Sequence, residues 1–195
     1  MNHLCEGYQI LKSNSFELDD YLIESIKLED AEPIRRWRNS QISALRQKQE
    51  ISSDQQSEYF NQVVRGEFPN PSPPQILVRF LHHNELIGYG GVVHIDWENL
   101  RGEVSFLLET TRTLEPARYE QELKIFFELI CRMAFRFLGF NKLFTEAYAH
   151  RPHHIVAIEN AGFTREGVLR EHVKIDGQWV DAIVASCLKN EYLQS

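Results

Sequence analysis

Side chains that can exchange protons occur on two stretches with strand-like alternation. GEVSFLLE carries Glu103 and Ser105 two residues apart, and KLFTEAYA carries Glu146 and Tyr148 with the same spacing. Because side chains alternate between the faces of a strand, each pair shares a face. Carboxylates and phenols beside a cleft can act as general bases or acids. The alternation does not decide which face lines a cleft, and pairing of Glu103 with Arg101 or another surface cation is the alternative.

Imidazoles lie near both stretches. His94 precedes Glu103 on another strand-like run, and His150, His153 and His154 follow Tyr148. Imidazole titrates near neutral pH, so His94 is a further candidate base and His153 or His154 a candidate acid, although a loop histidine is often simply exposed. Cysteines and carboxylates are not found at ligand spacing near the histidine cluster, so no metal site is expected.

Cationic side chains concentrate in the segment IRRWRNS. Arg35, Arg36 and Arg38 surround Trp37 there. On a helix, guanidinium groups suit a phosphorylated ligand, so Arg35 and Arg38 are candidate binding residues. The alternative is a solvated helix face, and Trp37 is expected to turn into the core.

A strand, turn and helix in VSFLLETTRTLEPARYEQELKIFFE has the order of a phosphate-binding turn but lacks glycine. Pro116 has no N–H to offer a phosphate, and Glu115, Glu120 and Glu122 would repel one. Arg112 and Arg118 are candidate substitutes, and a merely capped helix start is the alternative.

Length and composition favour one globular domain. The chain has 195 residues, 43% hydrophobic and 25% charged, and its net charge of −7 argues against a nucleic-acid partner. Three widely spaced cysteines fit neither a disulfide framework nor a zinc site, and the N-terminus has neither an export signal nor a membrane span. A cytoplasmic location without membrane association is expected.

The order of elements predicts a mixed α/β domain. Residues 1–20 form a polar arm or an extra edge strand, and the domain proper is placed at residues 21–195. A capping-box spacing from Ser53 to Gln56 marks the second helix, and the loop at residues 68–74 precedes three antiparallel strands. Strands are predicted at residues 21–27, 76–83, 85–96, 102–109 and 142–149, helices at 28–40, 53–66, 116–139 and 151–163, and a final hairpin at 167–189. A strand, a helix and a neighbouring strand favour a parallel crossover, so a cleft is expected where two strands splay.

The C-terminal segments ENAGF, EGVLR and DGQWVD carry a resemblance to a known family. In this order they resemble the GNAT superfamily of N-acetyltransferases, in particular its ribosomal-protein N-terminal acetyltransferase branch. Residues 88–108 are similar to the family's third and fourth strands. IRRWRNS resembles the first helix of a subgroup that acetylates amino sugars on nucleotide carriers. The resemblance covers residues 21–192 and implies a mostly antiparallel, twisted sheet, flanked by helices and splayed between its fourth and fifth strands.

The resemblance implies transfer of an acetyl group from acetyl-CoA to a primary amine of a small molecule, including a nucleotide-linked amino sugar, or of a protein N-terminus. The fourth strand would hold the pantetheine arm through Val104, Ser105, Phe106, Leu107 and Leu108. Glu103, Tyr148 and His154 are the candidate catalytic residues, Arg112, Arg118 and Arg151 the candidate cofactor contacts, and Arg35 and Arg38 the candidate acceptor contacts.

Two departures from the family pattern support an alternative function. The family has a glycine-rich loop where this chain has LEPAR, and it has a tyrosine where this chain has Ile158. A domain that kept the fold but binds CoA, a nucleotide or a protein without catalysis is therefore the rival interpretation. The sequence leaves the oligomeric state open, with a homodimer among the alternatives.

Overall fold

The architecture is a single eight-stranded sheet flanked by helices, described for residues 6–194 by a computed structural model. Residues 1–5, where the predicted arm begins, and residue 195 lie outside the described part. The strands are β1 Phe16–Leu18, β2 Tyr21–Ser25, β3 Ile76–His82, β4 Glu85–Asp96, β5 Arg101–Leu108, β6 Lys142–Tyr148, β7 Thr164–Ile175 and β8 Gln178–Leu188. The helices are α1 Ala31–Ser40, α2 Ser53–Tyr59, α3 Arg65–Glu67, α4 Pro116–Cys131, α5 Pro152–Asn160 and α6 Lys189–Gln194.

The sheet is mixed, as predicted. Its order is β1-β2-β3-β4-β5-β6-β8-β7, and each neighbouring pair is antiparallel except β5 with β6. Two tight turns connect sequential strands where predicted: His83 and Asn84 have φ of 50° and 65°, and Asp176 and Gly177 have φ of 48° and 83°. Positive φ at both positions gives a two-residue turn the twist that adjacent strands need.

The long crossover helix explains why β5 and β6 are parallel. α4 carries buried Leu123, Phe126, Phe127 and Ile130 at helical spacing and packs them against the sheet. Phe106 of β5 contacts Phe126, with ring centroids 4.8 Å apart. A parallel neighbour requires a crossover of this kind, so α4 is the element that creates the β5–β6 junction. After Cys131 the helix continues as a wider π-turn at Arg132–Phe137.

The described part of the predicted N-terminal arm contributes to the same sheet and core. β1 pairs with β2 at one edge of the sheet, and Tyr8 and Leu11 are each only 1% exposed. β1 is a strand in addition to those predicted from residue 21 onward. The predicted fourth and fifth strands, between which the sheet splays, are therefore β5 and β6 in this chain.

The cap of α2 is one residue earlier than predicted. Ser52 is the N-cap: its Oγ accepts from the Gln55 backbone N–H, and the Ser52 backbone N–H donates to Gln55 Oε1. Ser53 instead donates to Glu32 at 3.3 Å. The two overlapping serine–glutamine spacings satisfy the capping-box pattern equally well, so only the backbone path distinguishes them. α2 continues through a π-turn at Phe60–Val64 into α3.

Candidate active site

β5 and β6 separate after a short parallel pairing. They pair only where residues 101–103 meet residues 142–144, whereas β5 pairs with β4 along its whole length. Beyond this junction the two strands enclose a cavity of about 520 Å³. The carboxyl ends of β5 and β6 therefore form the open end of a cleft, and the junction forms its floor.

The free edge of β5 faces this cleft. The Glu109 backbone N–H donates to Ile87 O of β4 at 2.8 Å. Successive residues of a strand turn their peptide groups to opposite edges, so those of Val104, Phe106 and Leu108 point into the cleft. Gln41 Nε2 donates to Leu108 O at 2.8 Å. Val104 and Phe106 thus present the strand-like edge that an extended ligand containing amides can pair with.

Both predicted pairs of proton-exchanging residues lie on one face of the cleft, joined by a guanidinium. Arg46 Nη2 is 2.8 Å from Glu103 Oε1 and 3.4 Å from Glu146 Oε1, and Arg46 Nη1 donates to Glu103 Oε2 at 3.2 Å. Ser105 and Tyr148 line the same cavity. Glu103 is 8% exposed, so its carboxylate is buried and paired. Arg101 pairs instead with Asp96, at 3.3 Å.

A bulge in β4 brings His94 to Glu103. β4 has one more residue than β5 between two register pairs, Val93 with Glu103 and Asp96 with Arg101. His94 takes φ of 49° in this bulge, and its Nδ1 lies 2.8 Å from Glu103 Oε2. The His94 side chain is 65% exposed, so the imidazole is anchored by a buried carboxylate while remaining accessible.

Tyr148 lies on β6 beside these groups. Its side chain is largely buried, and burial raises the pKa of its hydroxyl, an effect that the nearby Arg46 charge opposes. The phenol is therefore protonated at neutral pH and can donate a proton. His150 stacks near it, with ring centroids 6.0 Å apart.

The opposite wall of the cleft is formed by Tyr119, Arg151 and His154. Tyr119 Oη lies 2.7 Å from His154 Nδ1 and accepts from Arg151 Nη2 at 3.3 Å, and Arg151 Nη1 donates to Ala44 O at 3.3 Å. Burial, and secondarily the Arg151 charge, lowers the pKa of His154 to about 3. His154 is therefore neutral at physiological pH and carries no imidazolium proton to donate. His153 is exposed on the same helix.

Arg112 and Arg118 have carboxylate partners and lie outside the cavity lining. Both contact the buried Glu122, Arg112 through Nη1 and Arg118 through Nε at 3.3 Å. Arg112 also binds Glu109 at 3.2 Å, and Arg118 binds Glu115 at 3.6 Å. That these two arginines contact the cofactor stays a prediction. Such a contact would require each arginine to leave its glutamate partners.

The basic segment on α1 divides into two environments. Arg35 forms a bidentate pair with Glu32 on the surface, at 2.8 and 2.7 Å. Arg38 instead donates to Gln47 at 3.0 Å and to the Tyr89 hydroxyl at 2.8 Å, and it lines the cavity. Trp37 packs against the hydrophobic core. Arg38 also lines a second cavity of about 390 Å³ that shares Ser105 with the first.

Two residues of this site were missed by sequence reasoning. Arg46 lies in an irregular segment that carries no periodic signal, and its partners are 57 and 100 positions away. Tyr119 occupies the first turn of α4, and the signal that could have found it was the phosphate-binding order of strand, turn and helix around that turn. Ile158, where the family has its tyrosine, is 2% exposed and packs in the core. Within residues 6–194 no cluster of three or more His, Cys, Asp or Glu side chains could hold a metal ion.

The family profile described as an acetyltransferase (GNAT) domain matches residues 23–184. The chain belongs to the GNAT acetyltransferases. The fold agrees: spermidine N-acetyltransferase from Vibrio cholerae, in complex with CoA and spermine, superposes with a TM-score of 0.79 at 17% identity, covering 90% of this chain and 99% of that one. A variant of the same enzyme gives 0.75 at 18% identity, with coverages of 90% and 98%. None of the curated proteins matches this sequence significantly.

GNAT acetyltransferases use acetyl-CoA as co-substrate. The cleft of this GNAT domain fits the pantetheine part of that molecule, because the exposed edge of β5 can pair with its amides. The N-terminus of α4 fits the pyrophosphate poorly, because Glu115 is its N-cap and Pro116 its first residue. No helix within residues 6–194 is long and apolar enough to cross a membrane.

Proposed function

We propose that this chain transfers an acetyl group from acetyl-CoA to a primary amine. The observation that supports this most strongly is the free edge of β5, which faces a cleft whose wall also holds the Glu103–His94 pair. When bound, acetyl-CoA supplies an activated acyl group and a thiol leaving group. Val104 and Phe106 hold its pantetheine amides as an added strand would, and Ser105, Leu107 and Leu108 complete that wall.

His94, held by Glu103, accepts the proton of the amine. Glu103 holds the imidazole through Nδ1, so Nε2 is the nitrogen left to take a proton from the acceptor. Arg46 fixes Glu103 from the other side and joins it to Glu146. In this arrangement Glu103 orients the base and balances its charge.

Tyr148 is the proton donor that the geometry favours. Its hydroxyl is protonated at neutral pH, as an ordinary phenol is, and burial raises its pKa further. Tyr148 lies on the same face as Glu103 and Ser105. It gives its proton to the departing thiolate. His154, neutral and held by Tyr119, shapes the opposite wall.

The acceptor binds on the side of Arg38 and the second cavity. Among residues 6–194 the hydrogen-bond partners of Arg38 are neutral, so its charge is available to an anionic group of the acceptor. A phosphate-bearing amine, such as an amino sugar on a nucleotide, satisfies this requirement. Arg35 has a carboxylate partner and would contribute only if the acceptor reached over the surface of α1.

A mass-spectrometric screen with acetyl-CoA tests this proposal. The acceptors are a nucleotide-linked amino sugar, spermidine, and peptides with free N-termini. We expect a mass increase of one acetyl group on the phosphate-bearing amine, abolished by Arg38→Gln and retained by the adjacent, exposed Arg36→Gln. Turnover of spermidine or a peptide alone would refute the acceptor assignment, and turnover of none would refute the enzyme.

A non-catalytic CoA-binding or protein-binding domain is the second candidate. It is favoured by the poor fit of Glu115 and Pro116 to a pyrophosphate and by the burial of Ile158 where the family has a tyrosine. Calorimetric binding of CoA without turnover of any amine would identify it. In both cases we expect the protein to act in the cytoplasm, in keeping with the free, buried thiols of Cys131 and Cys187.

A further inference from the structure

The N-terminus of α4 is a poor place for the pyrophosphate of CoA. Anions bind helix N-termini through free backbone N–H groups and the positive end of the helix dipole. The first residue of α4 is Pro116, which has no N–H, and the N-cap Glu115 carries a negative charge that is 66% exposed. Glu120 adds a second carboxylate in the next turn. This end of the helix therefore lacks one of the backbone donors that a diphosphate would use and places a carboxylate at the N-cap.

The two arginines nearest to the N-terminus of α4 are already paired with carboxylates. Arg112 and Arg118 both contact the Glu122 carboxylate, which is 1% exposed, and each has a second glutamate partner. Moving them to a phosphate would leave Glu122 buried with a charge and no cation, a change that costs several kcal/mol. These two arginines therefore stabilise the fold and are poorly placed to bind a nucleotide.

One arginine at the open end of the cleft has no carboxylate partner in the part of the chain that the structure describes. Arg151 follows β6, lines the cavity, and donates only to two neutral oxygens, Ala44 O and Tyr119 Oη, both at 3.3 Å. None of the ion pairs found among residues 6–194 involves it, whereas Arg46, deeper in the cleft, is paired with two glutamates. Arg151 can therefore meet one phosphate group without breaking an ion pair.

We infer that the donor site recognises a 4′-phosphopantetheine thioester, through the edge of β5 and Arg151, and gains little from the rest of the CoA nucleotide. The inference rests on the proposed function, because the phosphopantetheine arm is the part of acetyl-CoA that carries the acetyl group. The 4′-phosphopantetheine arm is an extended chain with two amide groups that ends in a single phosphate. The edge of β5 matches the amides, and Arg151 matches the phosphate.

Isothermal titration with CoA, 4′-phosphopantetheine and pantetheine tests the inference without any acceptor. We expect CoA and 4′-phosphopantetheine to bind with Kd values within about threefold of each other. Pantetheine, which lacks the phosphate, should bind about tenfold or more weakly, since a charge-assisted hydrogen bond is worth roughly that factor or more. Arg151→Gln should reduce this preference for the phosphate to less than about threefold, and Arg151→Lys should restore part of it.

Two further variants act as controls. Arg118→Gln removes a cation near the start of α4 and should change each of the three Kd values by less than about threefold, since an exposed ion pair contributes little. The double change Glu115→Gly with Pro116→Gly restores an N–H and removes a charge, so it should strengthen CoA binding relative to 4′-phosphopantetheine. Circular dichroism and thermal melting verify that each variant is folded.

A loss of about 30-fold or more from CoA to 4′-phosphopantetheine would overturn the inference, as would weakened CoA binding in Arg118→Gln with none in Arg151→Gln. Comparable binding of the two ligands without acetyl transfer to any amine would support the inference and reject the proposed function. Binding of none of the three ligands at millimolar concentration would reject both.

Discussion

At the scale of single residues, Glu103 is the group on which the site depends. It is buried, it receives two bonds from Arg46, and it contacts the imidazole of His94. A carboxylate in this setting can hold the base in one orientation and balance the positive charge that forms on it. A neutral amide of the same shape can orient the imidazole only in part, and it cannot balance the positive charge.

Glu103→Gln should therefore reduce kcat by about 10² to 10⁴, the range expected when general-base catalysis is lost. The KM for acetyl-CoA should change by less than about threefold, because the edge of β5 is untouched. Steady-state kinetics measure both constants. Glu98→Gln, the same change on the exposed turn between β4 and β5, is the control. A kcat within threefold of wild type in Glu103→Gln would remove this residue from the mechanism.

His154 should make folding stability depend on pH. Its pKa is lowered from 6.5 to about 3 in the folded protein, chiefly by burial. Between these two pH values the unfolded chain binds a proton at His154, and the folded protein does not. The stability that follows is fully present above pH 6.5 and is lost as the pH falls toward 3.

Urea denaturation at pH 7.5 and pH 5.0 measures this effect. Wild type should lose up to about 2 kcal/mol more than His154→Asn over that interval, at roughly 1.4 kcal/mol for each pH unit below 6.5. Asn keeps a polar group beside Tyr119 but does not titrate. Equal losses in the two proteins would show that folding does not change the pKa of His154.

At the scale of elements, β4 is the strand that shapes the cleft floor. Its bulge directs His94 toward Glu103, and its glycines allow close contact with both neighbouring strands. Gly91 has φ of 135°, and a Cβ there would lie 2.0 Å from Ile76 O of β3. That backbone conformation and that contact both require glycine.

Gly91→Ala should lower the free energy of unfolding by about 2 kcal/mol or more, because β3 and β4 must separate to admit the methyl group. Gly66, in the helical turn α3, is the matched control: a Cβ there meets nothing within 4 Å. Gly66→Ala should be neutral or stabilise by about 0.5 to 1 kcal/mol. Chemical denaturation compares the two, and a destabilisation of the same size in both would contradict the structural argument.

At the scale of the whole molecule, the sheet ends in an exposed strand. β7 is the last strand in the order, and within residues 6–194 it pairs with β8 alone. Val168 and Leu169 on this edge are 47% and 38% exposed. An unpaired edge with apolar side chains is a surface on which a second chain can add.

We therefore predict a homodimer that forms through β7, measurable by sedimentation velocity at micromolar concentrations. Val168→Lys should shift the protein to monomer and leave its circular dichroism spectrum unchanged, since this side chain lies on the surface of the single chain and its replacement does not disturb the core. Val63→Lys changes a valine of similar exposure, 44%, away from this edge and should leave the dimer intact. A monomer at all concentrations, or equal effects of the two variants, would contradict this prediction.

Patterns of neighbouring residues predicted the local elements and the family. Alternation and helical spacing marked the strands and α4, and the positions of His83–Asn84 and Asp176–Gly177 marked two hairpins. The pairing of Glu103 with Ser105 on one face also followed from alternation alone. These features depend on neighbours a few positions apart, which a linear pattern records.

Which side chains meet in the cleft depends on how the elements are arranged in three dimensions. Arg46 joins Glu103 to Glu146, and Tyr119 meets His154 across 35 positions, because the α4 crossover brings β5 and β6 side by side and then lets them part. The direction in which the first turns of α4 face likewise decides that Arg112 and Arg118 pair with Glu122. It also decides that Arg151 contacts Tyr119 and has no carboxylate partner among residues 6–194. Such contacts depend on strand register and helix rotation, and a linear pattern of residue types contains neither.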